Sequence, residues 1–351
     1  MTTYLAILEQ HRPALEAALK RSIGPSKSPL YAMLRYQLGW NDHHGMPVLH
    51  AAGERTHGAL LLLLAESLRA DPARAAPAVG GDASRFIPAA AAIELAHACA
   101  QVHQSLRHGD PGMPERPALW WVFSSSQGIN AGDALYSLAR LSIMESSALG
   151  APATAVTHAL AILDRACIAL AEAQYRQITL EAAPGVSPDD YADALDLAGA
   201  AIPGAAASIG ALLGGASDDV IEHAATFGRH TGAAWRLRQE LDAVRDTIAA
   251  NRLVEALDNR RSLPLLHALA HAAGPDAQRL AALQRRDAPI TDDSLAAILP
   301  ILDRTGSRAY IAQRISRALR LADASLASLS LPSSARDELA AFARHLAGQE
   351  S

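Results

Sequence analysis

Gln104 and His108 stand four residues apart in the stretch ELAHACAQVHQSLRHGD, residues 94–110. If that stretch is helical, the spacing brings both side chains to one face. His97 and His103 lie nearby, and an imidazole-rich face of this kind could hold Zn²⁺ or Cu²⁺. Packing is the plainer role for such histidines and carries more weight. A second group contains Gln239, Glu240, Asp242 and Asp246. Asp242 and Asp246 are one helical turn apart and could form an acidic pair for a hard cation. A solvated helix face, with Arg238 and Arg245 pairing the acids, weighs more heavily than a metal site. The Asn41-Asp42-His43-His44 cluster with His50 reads as a solvated loop. Ser124-Ser125-Ser126-Gln127-Gly128 is not a GxSxG elbow, and Gly80-Gly81 and Gly214-Gly215 lack the strand–turn–helix setting of a phosphate loop.

The elements that must position these residues are helices. Half of the 351 residues are apolar, mostly Ala and Leu, and only 4% are aromatic, a palette that favours helix over strand. Apolar residues recur at helical spacing from Leu5 to Ala18 until Gly24-Pro25-Ser26, and again from Leu34 to Leu38. Residues Leu60 to Leu68 are apolar on nearly every side and predict a buried helix. Residues 71–82 read as a connection. A helix from Pro88 should run to about His108 and stop at Gly109-Asp110-Pro111-Gly112. Further helices are expected at 131–147, 153–182, 188–200, 203–213, 217–250, 262–271, 276–285, 292–303, 307–327 and 333–348. Ser187-Pro188 reads as a cap followed by proline at the first helical position. With no fixed-period repeat and no long linker, residues 1–351 are expected to form one all-α domain.

A net charge of −5 offers no basic footprint for nucleic acid. Cys99 and Cys167 sit in apolar helical text and suit buried thiols in a reducing compartment. The longest uninterrupted apolar run, Ala59 to Ala65, is too short to cross a bilayer, and the N-terminus shows no signal peptide. A cytoplasmic location without a membrane span is the expectation.

One longer pattern overlays these features. Ile93-Glu94-Leu95-Ala96-His97 precedes the Gln104 region, and Ile129-Asn130-Ala131-Gly132-Asp133-Ala134-Leu135 follows it. Together they resemble the core of the trans-prenyl diphosphate synthases, the polyprenyl synthetase family, whose usual text runs ELIHxxSLIHDDxxD and later close to AINAGDAL. Arg260-Arg261-Ser262-Leu263-Pro264 is similar to that family's KKTLP segment. The resemblance implies the all-α isoprenoid synthase fold, about a dozen helices around an apolar cavity, and a homodimer. It also implies a reaction in which Mg²⁺, held by two aspartate-rich motifs, draws off an allylic diphosphate.

The charged positions depart from that family pattern. Gln104, Ser105 and His108 stand at the aspartates of the first motif, a degenerate site with no hard ligand. The second motif survives as Gln239, Glu240 and Asp242, with Glu240, Asp242 and Asp246 as the alternative metal ligands. Arg55, Arg116 and Gln174 remain of the diphosphate-binding residues, while Glu54 replaces a lysine and Ala198-Gly199 replaces a Lys-Thr pair. Cys99 and Ala100 are small where bulk would close the family's hydrophobic tunnel, which leaves a cavity open. Trp120-Trp121 falls near the mouth of that site, where packing or a dimer contact is the default role and stacking over an apolar ligand the sharper one.

No catalytic residue follows from this pattern. The expectation is a family member without Mg²⁺-dependent chain elongation and without a cofactor. It would serve as a regulatory or binding subunit, with an active synthase as partner, or would bind an apolar isoprenoid. The alternative is a diverged prenyltransferase or class I terpene cyclase, and only that alternative calls for Mg²⁺.

Overall fold

The computed structural model describes residues 3–48, 53–69, 83–113, 115–183, 185–244, 262–285 and 292–349. Within them lie fourteen α-helices: α1 (Thr3–Ile23), α2 (Pro29–Gln37), α3 (Thr56–Arg69), α4 (Ile87–His108), α5 (Leu119–Phe123), α6 (Ser125–Ala148), α7 (Ala153–Ala182), α8 (Pro188–Leu213), α9 (Asp218–Asp242), α10 (Leu263–His271), α11 (Gly274–Arg285), α12 (Asp292–Arg304), α13 (Ser307–Ala327) and α14 (Ser333–Leu346). The only strands among the described residues are Gly112–Met113 and Arg116–Pro117, paired antiparallel.

Two compact units share these helices. The first comprises Met1–Cys167, Ile202–Gly228 and Ser325–Ala340. At its centre α4 packs lengthwise on α6 and also meets α3 and α1. Every residue of α4 from Ile87 to Ala96 is buried, and α3 buries His57 through Ala65, as its all-round apolar text predicts. The second unit comprises Ile168–Ala201, Arg229–Ala324 and Ala341–Ser351, with α10 packed on α11 and α12.

Local chemistry explains several boundaries. Gly109 ends α4 at φ +65°, a left-handed cap that glycine adopts without penalty. Ser187 caps α8 through its Oγ, which accepts from the Asp190 N–H at 3.0 Å. Three expectations need correction. The helix expected over 217–250 ends at Asp242, and Ala243 and Val244 form a turn. The helices expected at 188–200 and 203–213 are one helix, because α8 continues through Pro203. A mid-helix proline costs about 3 kcal/mol, and here the burial of Ile202, Ala205, Ala206, Ala207 and Ile209 offsets it. The helix expected from 131 starts earlier, at Ser125. Ser124 turns the chain there at φ +88°, separating α5 from α6.

Close backbone approach marks one crossing in the first unit. A Cβ at Gly210 of α8 would lie 2.5 Å from the Leu61 carbonyl oxygen of α3. Among the described residues two helices, α7 and α8, are long and apolar enough to cross a membrane by length and composition. Scattered polar residues hid both from a search for unbroken apolar runs. The most apolar stretch of α8 is 67% buried, as expected of a core helix, whereas that of α7 is only 17% buried.

Candidate functional site

Gln104, Ser105 and His108 lie on the last turns of α4, all partly buried. None brings a carboxylate, and each has a local setting. Ser105 Oγ donates to the Val102 carbonyl at 3.0 Å, and the His108 ring accepts from its neighbour Arg107. His103 sits over Gly132 of α6, where a Cβ would fall 2.1 Å from its Nε2. Its other nitrogen is 3.9 Å from Cys99 Sγ. Gly132 is therefore the space that the His103 ring fills, which joins the two readable flanks of this region in one packing contact. Cys99 and Ala100 are partly buried. Burial pushes the Cys99 thiol up to about 12 and that of Cys167 to about 11, so both stay protonated at neutral pH and are poor soft-metal ligands.

His97 does not join His103 and His108. It lies against His57 of α3, with ring centroids 4.1 Å apart and the planes tilted by 31°. Beside them, buried Glu94 accepts from the Gly58 N–H at 2.7 Å. Burial lowers His57 well below the usual imidazole range and holds His97 down to about 4, with the Arg55 cation adding to the shift at His97. Burial also raises Glu94, partly opposed by Arg55. The unfolded chain protonates His97 below about 6.5, while the native chain resists until about 4. The stability contribution of neutral His97 is therefore complete above 6.5 and is lost as pH falls toward 4. Glu94 works in the opposite sense, since its raised pKa favours the native state as pH falls. His97 alone should contribute a loss of about 2 kcal/mol between pH 7.5 and 5, with His57 acting in the same sense and Glu94 opposing it. Chemical denaturation at the two pH values measures it, and His97→Gln should flatten the dependence.

The second acidic group ends α9. Glu240 is buried and doubly engaged: Oε1 meets Arg236 at 2.8 Å and Oε2 accepts from the Leu263 N–H at 3.0 Å. Leu263 is the first residue of α10, and the preceding Ser262 makes no side-chain cap. Glu240 thus supplies the acceptor that an N-cap would give, a carboxylate at the positive end of a helix. Asp242 pairs with Arg238 at 2.6 Å, and Arg238 also donates to the Gly348 carbonyl at 3.0 Å. Gln239 is exposed. Asp246, Arg245, Arg260 and Arg261 lie outside the described residues. The expected Arg238 partner is present, but the arginine that takes Glu240 is Arg236, which sequence reasoning missed although Arg236 and Glu240 have the i, i+4 spacing of a helical ion pair.

The two arginines expected to grip phosphate converge on the end of α2. Arg55 is buried, at φ +55°, and donates to Glu16 at 2.8 Å and to the Leu38 carbonyl at 2.7 Å. Arg116 donates to the carbonyls of Tyr36 at 2.6 Å and Gln37 at 3.2 Å. Both cations satisfy carbonyls at a helix C-terminus, where positive charge is favoured. Gln174 is partly buried on α7, and nearby Gln177 is buried and reaches the Ala194 carbonyl at 3.5 Å. At Gly199 a Cβ would lie 2.6 Å from Arg236 Cβ and 2.7 Å from the Gly232 carbonyl, so α8 and α9 touch there backbone to backbone. Trp120 Nε1 donates to the Asp110 carbonyl at 2.9 Å, a packing role, whereas Trp121 is exposed. Among the described residues no three His, Cys, Asp or Glu side chains are grouped to hold a metal ion.

Comparison with known proteins agrees with the frame. The polyprenyl synthetase family model matches residues 43–300. The chain is 28% identical over 327 residues to the (2E,6E)-farnesyl diphosphate synthase of Mycobacterium tuberculosis, covering 91% of this chain and 86% of that protein. A geranylgeranyl diphosphate synthase of the same organism is 28% identical over 312 residues, covering 88% and 84%. Among solved structures, a polyprenyl synthetase from Streptomyces coelicolor superposes with a TM-score of 0.83 at 25% identity, over 97% of this chain and 98% of that one. The geranylgeranyl pyrophosphate synthetase from Pyrococcus horikoshii shares the fold, with a TM-score of 0.79 at 22% identity over 99% of both chains. With its all-α isoprenoid synthase fold and a family match across most of its length, the chain belongs to the polyprenyl synthetase family.

Proposed function

We propose that the chain is a member of this family that binds an isoprenoid or an active synthase subunit and does not carry out Mg²⁺-dependent chain elongation. The observation that carries this reading is the use made of Glu240. The one acid kept in place in the second motif pairs with Arg236 and caps α10. At the first motif, an amide, a hydroxyl and an imidazole do not fit Mg²⁺, which prefers carboxylate oxygens. Arg55 and Arg116 spend donors on the C-terminus of α2. A homodimer or a complex with an active synthase would cover the exposed apolar side of α7, where Ile168, Tyr175 and Ile178 recur at helical spacing.

The test is a melting curve with Mg²⁺ and a non-hydrolysable farnesyl diphosphate analogue, alongside an elongation assay with isopentenyl diphosphate. A ligand at a hundred times its Kd adds about 2.7 kcal/mol. The proposal expects no Mg²⁺-dependent shift and no product. A shift that requires Mg²⁺, with chain elongation, would replace it with the second reading, a diverged prenyltransferase. The nearly full-length similarity to named synthases favours that reading.

A further inference from the structure

Within the second unit, α10 carries two histidines that lie outside every motif position, His267 and His271. They are four residues apart, and their rings stack with centroids 4.1 Å apart and planes within 17°. Tyr310 of α13 also stacks on His267, at 4.5 Å and 26°. Two such rings cannot share one face of an imidazole, so His267 is held between them. The Tyr310 hydroxyl is fixed in turn by Asp189 Oδ1 at 2.5 Å.

Hydrogen bonds settle which nitrogen each ring has to offer. The Thr305 hydroxyl donates to the Ile301 carbonyl at 2.8 Å. The 2.9 Å contact between Thr305 Oγ1 and Ser307 Oγ must then use the Ser307 proton. Ser307 Oγ is left as the acceptor for His267, whose Nδ1 at 3.2 Å therefore carries the proton. At His271 the partner is the His267 carbonyl, 2.8 Å from Nδ1, and a carbonyl can only accept. Each neutral ring thus keeps its lone pair on Nε2. Among the described residues no hydrogen bond takes either Nε2.

Metal-binding histidines are held in this way, one ring nitrogen donating to an oxygen and the other presented to the ion. Residues i and i+4 share a helix face. The pair also ends α10 at His271, and the negative end of a helix favours a cation. His267 is buried and clamped, whereas His271 is exposed, and its ring torsion is broad enough to tilt toward a shared ion. Imidazole suits Zn²⁺, Cu²⁺ or Ni²⁺ and not Mg²⁺.

We propose that His267 and His271 bind one divalent transition-metal ion through their Nε2 atoms, with water completing the coordination. Two protein ligands are fewer than a structural zinc site uses, so the ion exchanges. The site is independent of whether the chain elongates isoprenoids.

Isothermal titration of the full chain with Zn²⁺, and electron paramagnetic resonance with one equivalent of Cu²⁺, test the site. Both use the His43→Ala/His44→Ala background, which removes the other pair of adjacent imidazoles, 3.9 Å apart. One-to-one binding is expected, with Cu²⁺ coupled to two imidazole nitrogens and excess Mg²⁺ without effect. His267→Gln and His271→Ala should each weaken binding by about tenfold or more. His271 is exposed, so His271→Ala decides the matter if the buried variant fails to fold. Unchanged affinity in His271→Ala, loss of binding in the His43→Ala/His44→Ala background, or displacement by Mg²⁺ would each overturn the proposal.

Discussion

Replacing Glu240 with alanine should destabilise the protein by about 3 kcal/mol, whether or not Mg²⁺ is present. The variant leaves the Arg236 cation, whose side chain is only 15% exposed, without its partner, and leaves the Leu263 N–H without its acceptor. Breaking one side of a buried pair typically costs 3–5 kcal/mol, because a charge remains behind uncompensated, and an orphaned buried donor adds to that. The low end applies because Arg236 keeps some access to water. Glu240→Gln should cost less, about 1–2 kcal/mol, since the amide oxygen can still accept from Leu263 while the ion pair is lost. Arg236→Ala combined with Glu240→Ala should cost less than the sum of the two single changes, the signature of a direct contact. Urea denaturation with EDTA or with Mg²⁺ measures all of these. A loss seen only with Mg²⁺ would make Glu240 a metal ligand and end the structural account.

Gly210→Val should lower stability by about 3–4 kcal/mol. The added Cβ would stand 2.5 Å from the Leu61 carbonyl oxygen and 3.2 Å from Leu61 Cα. These are backbone atoms of a buried helix and cannot turn aside, so α8 and α3 must separate along a packed seam. A fall in melting temperature of roughly 5–10 °C is expected by calorimetry. Ala171→Val, at an exposed position of α7, supplies the control and should shift it by at most a degree or two. A comparably small effect at Gly210 would mean that the close crossing of α3 and α8 is not a feature of the protein in solution.

Much of the frame is legible without coordinates because local chemistry repeats it. Gly109 stops α4, Ser187 starts α8, and the all-apolar text of α3 requires burial. The continuity of α8 through Pro203 is not legible, because proline is a local signal and the packing that overrides it is not. The candidate site is legible in a different sense. The residues missing from it can be read off, but the work of the remaining ones cannot. Arg55 and Arg116 look like relics of phosphate binding until α2 is seen ending between them. Nor does the sequence show that Asp189, Asp193 and Asp196 meet Arg314, more than a hundred residues away in the chain.

The contact at Gly199 also limits which residues the position can hold. Gly199→Thr would drive the new Cβ to within 2.6 Å of Arg236 Cβ and 2.7 Å of the Gly232 carbonyl. Trimming Arg236 would not remove the obstacle, since its Cβ and the Gly232 backbone remain. The helices themselves would have to move apart, and Glu240 shares α9 with both residues. A side chain at position 199 and the present spacing of α8 and α9 are therefore mutually exclusive.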